Sequence, residues 1–135
     1  MSSGESELLR SFEARDLDPA AFGHSDHLGV AYEMLRKYGF MEAATRYAEN
    51  IHAIAAKAGA AGKFHATITF AFMSLIAERM ALTEHSGCGD FIARNPDLMS
   101  KDLLKSWYSP ERLKSDLARH IFLMPDIACK SGLRK

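Results

Sequence analysis

Six histidines are present, and three have types and spacing that could do chemistry. His24 and His27 stand in the string Phe22-Gly23-His24-Ser25-Asp26-His27-Leu28, and His65 stands in Lys63-Phe64-His65-Ala66-Thr67. On a helix advancing about 100° per residue, His24 falls in line with Leu28, Ala31 and Leu35, and His27 lies about 60° to one side. Asp26 and Glu33 then face water. His65 falls beside Ile68 and Phe72, so all three imidazoles are predicted to face inward. Imidazole suits zinc, nickel, iron and copper. Three histidines with an open position could hold a divalent ion such as zinc or nickel and activate a water molecule. Without a metal, neutral imidazoles could serve as base and hydrogen-bond donor, with Lys63 and Thr67 as contacts to an anion. A third reading makes the histidines structural, because polar side chains at helix starts commonly bond nearby backbone. No carboxylate is clearly placed to orient the rings, as metal-bound histidines usually require.

A second group lies later in the chain. Ser115 and Arg119 are four apart and share a helix face. With Tyr108 they could bind a carboxylate or a phosphate, since a guanidinium grips such groups bidentately. The plainer alternative is that Ser109 caps a helix and Arg119 pairs with an acid across the fold. Trp107, Tyr108 and Phe122 read as core or interface.

The elements that must position these residues read as helices throughout. Apolar residues recur at helical spacing, no run alternates polar and apolar for long, and no Asn-Gly or Asp-Gly hairpin signal occurs. A short helix is predicted over 5–14, ended by Asp16 to Pro19. Three longer helices follow over 24–38, 41–58 and 63–84. Gly39 is expected as a left-handed cap of the first of these and Gly59 as the close of the second. Brief helices follow Asp90 and Ser100, and Asn95-Pro96 separates them. Ser109-Pro110-Glu111 is a strong helix start, from which one helix is expected to run through Leu113, Leu117 and Ile121 to Pro125. The predicted fold is all-α: a single helical-bundle domain, residues 1–135, of three long helices with short N- and C-terminal helices. Its ends, 1–4 and 127–135, are expected to be loose. Short connections make successive long helices antiparallel, so 24–38 and 63–84 should run parallel, with His24, His27 and His65 at one end. His85 lies roughly 30 Å further along the third long helix, at about 1.5 Å per residue, and cannot join them.

Composition narrows the function. The chain has 135 residues, with 17 Lys plus Arg and 17 Asp plus Glu, so its formal charge is zero. That argues against a nucleic-acid binder and against a polybasic membrane-surface protein. The balance is uneven, because residues 101–135 carry eight basic against four acidic side chains. No segment reaches the roughly 20 apolar residues of a membrane helix, and the first residues lack a signal-peptide layout. Cys88 and Cys129 form no CxxC and no disulfide framework, so a cytoplasmic location is expected. Phosphate-cradling glycine loops, GxSxG and HExxH are absent. The residues leave open whether the chain is an enzyme, a binding module or an interaction bundle that forms homodimers with structural histidines.

The span 22–126 resembles a set of small bacterial proteins. The segments that carry the resemblance are FGHSDHL at 22–28, GKFHATIT at 62–69, NPDLM at 95–99 and WYSPERLKSDLARHIFLMPD at 107–126. The resemblance implies an all-helical fold and assigns no activity. The layout is also similar to the DinB-like metal bundles, in which three histidines meet across four helices. Those proteins carry a late HxxxH pair, whereas the pair here is HxxH and early, so the similarity is one of architecture only.

Overall fold

A computed structural model describes residues 6–127. The expectations of loose ends at 1–4 and 128–135, and the reading of Cys129, fall outside the described residues. Ile127 is described and donates its backbone N–H to the Trp107 carbonyl. The described residues are all-helical, with seven α-helices, several short 3-10 turns and no strand. The α-helices are α1 (Glu7–Glu13), α2 (His24–Lys37), α3 (Phe40–Lys57), α4 (Ala66–Leu82), α5 (Cys88–Arg94), α6 (Pro110–Lys114) and α7 (Asp116–His120). No helix among these residues is long and apolar enough to cross a membrane.

Most starts follow from local chemistry. Ser6 caps α1, and Ser109 caps α6 through a bond from the Arg112 N–H. Asp26 reaches back to the Gly23 N–H and so fixes where α2 begins. Gly59 ends α3 with φ of +76°, the left-handed position expected of it. Gly39 differs from expectation. Its φ is −72° and it is the N-cap of α3, so the turn between α2 and α3 needs no left-handed residue.

Helix α2 occupies the middle. It packs against α1, α3, α4, α5 and the 3-10 turn Pro96–Met99. Contact on several sides explains why Val30 and Met34 are buried along with Leu28, Ala31 and Tyr32, beyond a single apolar stripe. Leu35 and Tyr38, expected inward, are only half-buried. Asp26 and Glu33, expected to face water, are also half-buried, and Glu33 accepts from the Ser6 N–H.

Two expectations for the later helices are corrected. Ile68 is 40% exposed, while its neighbours Thr67 and Thr69 are buried. The chain at Ile121–Leu123 passes over α4, and the Thr67 hydroxyl supplies polar partners for its backbone, donating to the Ile121 carbonyl and accepting from the Leu123 N–H. The long final helix is in fact two short ones, α6 and α7. Ser115 breaks them apart with extended backbone, and its side chain caps α7 through the Ala118 N–H. Leu117 and Ile121 are accordingly exposed rather than core.

Candidate functional site

His24 and His27 sit in the first turn of α2, one helical step apart. His65 stands just before α4, as its N-cap rather than in its first turn. All three line one cavity of about 310 Å³. Its other lining residues are Tyr47, Ile51, Lys63, Phe64, Ile68, Thr69 and Phe72. Residues at the N-terminal ends of α2 and α4 therefore line one cavity. A second cavity of about 470 Å³ adjoins it, and His24, His27, Ile68 and Phe72 line both. The two α2 histidines are thus part of the wall common to both spaces.

Each ring makes a bond that fixes its chemistry. His65 is fully committed. Its Nδ1 accepts from the Ile68 N–H at 3.1 Å, and its Nε2 donates to the Leu113 carbonyl at 2.7 Å. A ring that accepts at one nitrogen and donates at the other is neutral and has no lone pair left for a metal. His24 donates from Nε2 to the Leu98 carbonyl at 2.9 Å. That carbonyl belongs to the Pro96–Met99 turn, which Arg79 grips through both oxygens of Asp97 at 2.9 and 2.7 Å. Arg79 also donates to Asn95 at 3.1 Å, so the partner of His24 is itself held from α4.

His27 pairs through Nδ1 with the Tyr47 hydroxyl at 2.9 Å. Tyr47 is buried and its hydroxyl bonds no other described residue, so the hydroxyl donates and Nδ1 accepts. His27 then carries its proton on Nε2. Burial pushes the His27 imidazole down to about 4, with the nearby His24 adding to the effect and Asp26 opposing it. Burial likewise pushes the Tyr47 phenol up, which keeps it a donor at neutral pH. Phe22 lies 4.3 Å from the His27 ring and Phe72 lies 5.7 Å from the His24 ring, centroid to centroid.

One nitrogen of each α2 histidine remains: Nδ1 of His24 and Nε2 of His27. Neither bonds any described residue. No buried side-chain nitrogen or oxygen among the described residues lacks a partner, so these two atoms are reachable from solvent. Lys63 lies at the same cavity, exposed and without an ion-pair partner among the described residues.

The remaining candidates are placed elsewhere. Thr67 is fully buried and bonds the Ile121 carbonyl and the Leu123 N–H, so it does not contact an anion from the cavity. Tyr108 is buried and donates to the Leu123 carbonyl. Ser115 caps α7 and donates to the Arg112 carbonyl. Arg119 reaches back to the Gly62 carbonyl at 2.8 Å, beside Lys63, and not to an acid. His85 is apart from the cluster, with its Nδ1 on the Tyr32 hydroxyl at 2.8 Å. No group of three or more His, Cys, Asp or Glu among the described residues is placed to hold a metal ion.

Tyr47, the partner that sets the tautomer of His27, lies in no motif of the sequence. Its signal was a hydroxyl on a buried face, which must find a bond. Phe64 and Thr69, which flank His65 in the GKFHATIT segment, also join the lining, as does Ile51, which no motif marks. No protein-family model, curated protein or solved structure matches the chain.

Proposed function

We propose that this chain is a cytoplasmic small-molecule-binding protein, a bundle built on its three long helices, whose histidine-lined cavity takes a compact organic anion. The observation that carries this reading is the pairing of one unengaged nitrogen on each α2 histidine with an unpaired Lys63 around a largely apolar space. The volume, about 310 Å³, falls at the lower end of small-molecule sites. Apolar walls hold the body of such a ligand, and a few polar groups orient it. Lys63 supplies the positive charge, which the neutral ring of His27 does not.

A small molecule is favoured over zinc or nickel as the occupant. A three-histidine site would have to break one of the two bonds of His65, the cap on α4 or the link to Leu113, to free a nitrogen for coordination. Either bond holds a backbone group that would then lose this partner.

Calorimetric titration with benzoate at pH 8 tests the reading. The wild type is expected to bind saturably, and Lys63→Gln to bind about tenfold more weakly, a loss of about 1.4 kcal/mol. The exposed Lys114→Gln serves as the control and should bind as the wild type does. No saturable binding, or equal binding by Lys63→Gln, would overturn the proposal. So would stoichiometric zinc or nickel held through His65.

A further inference from the structure

The two unengaged nitrogens differ in kind. On His24 the fold takes the Nε2 proton, leaving Nδ1 as a lone-pair acceptor in the neutral ring. On His27 the fold takes the Nδ1 lone pair, leaving Nε2–H as a donor. The two residues are three apart on one helix, and such side chains are neighbours with about 5–6 Å between Cβ atoms. Both rings line the cavity, one carrying an acceptor and the other a donor that no described residue engages, and neither atom is fully buried. Phe64 and Phe72 contribute flat apolar surface to the same space.

We infer that the cavity reads the edge of a cyclic amide: a planar heteroaromatic ring with an N–H next to a C=O, carrying an acidic substituent. The ring N–H donates to His24 Nδ1, the ring carbonyl accepts from His27 Nε2–H, and the acid reaches Lys63. A plain carboxylate offers acceptors only and leaves His24 unused. A site that hydrogen-bonds a ligand group discriminates against an analogue lacking it, because its own polar atom is then left unpaired. This inference rests on the small-molecule reading above and specifies which molecules that cavity prefers.

The test changes the ligand rather than the fold. Three probes are titrated at pH 8, above the ordinary imidazole range: 6-oxo-1,6-dihydropyridine-3-carboxylate, its N-methyl derivative, and benzoate. The pyridone acid is expected to bind at least tenfold more tightly than either other probe. His24→Leu is expected to lose the preference for the pyridone over its N-methyl form. If benzoate binds and the pyridone gains less than tenfold, the edge-reading inference fails while the anion pocket stands. If none of the three binds, both fail. If the preference survives in folded His24→Leu, the inference fails, because another site reads the N–H. Should His24→Leu not fold, the three probes on the wild type still decide.

Discussion

The first turn of α2 and the segment that closes over α4 both carry polar residues at suggestive spacing, yet they do opposite things with them. In the closing segment the polar atoms serve the backbone. Thr67 donates to Ile121 and accepts from Leu123, Tyr108 donates to Leu123, and Ser115 serves both Arg112 and Ala118. From Ile121 onward the chain is not helical, so its N–H and C=O groups find partners outside a helix, among them the side chains of Thr67 and Tyr108 and the Trp107 carbonyl. At the start of α2 the Asp26 carboxylate takes the Gly23 N–H, and neither histidine ring bonds the backbone of its own turn. His24 and His27 therefore spend one nitrogen each on holding position and keep the other. A spare polar atom on a residue that lines a cavity, rather than residue type or spacing, separates the candidate site from the scaffold. His65 shows how fine the distinction is, since it lines the cavity but has no atom to spare.

The comparison breaks most visibly on stability. Thr67→Val keeps the shape but leaves a backbone N–H and a C=O without their partner, at roughly 1–3 kcal/mol for each such group, or about 4 kcal/mol in all. Urea denaturation should show that loss, with binding retained by the protein that remains folded. A loss below about 1 kcal/mol would mean that the closing segment is not held as described.

A somewhat smaller effect comes from acid. His27 titrates near 4 in the fold against an ordinary 6.5. Between those values the unfolded chain binds the proton and the folded chain does not, so stability falls as pH drops through this window and levels off below it. The shift corresponds to on the order of 3 kcal/mol. His27→Gln, which keeps an acceptor for Tyr47, should flatten that part of the stability profile. Comparing the two proteins at each pH cancels the carboxylates that titrate in the same range. Equal slopes would place His27 in water rather than in the wall.

The smallest stability change belongs to Lys63→Gln. An exposed, unpaired lysine should alter the unfolding free energy by less than about 0.5 kcal/mol. Loss of binding with stability unchanged would mark Lys63 as belonging to the site and not to the scaffold.

The sequence made the helical class and the meeting of two helix starts legible. Capping residues and 3.6-residue periodicity are local signals, and His24, His27 and His65 do share a cavity. The break at Ser115 was not legible. Ser109-Pro110-Glu111 announces a start, but nothing local distinguishes a serine within a helix from one that caps the next. The inversion at Thr67, Ile68 and Thr69 was hidden for a different reason. Polarity predicts which face meets water, and here Thr67, on the buried side of α4, meets the backbone of Ile121 and Leu123 instead. Tautomers were out of reach altogether, because they depend on partners distant in sequence: Leu98, Tyr47 and Leu113.

The central claim is that His24 and His27 each keep a nitrogen for a ligand while His65 keeps none. Long-range proton–nitrogen correlation NMR on histidine-labelled protein at pH 8 reads this directly. All three rings should be neutral with the proton on Nε2. Adding the pyridone acid should move His24 Nδ1 and His27 Nε2 and leave His65 in place. A His27 ring protonated on Nδ1, or a ligand response centred on His65, would contradict the claim.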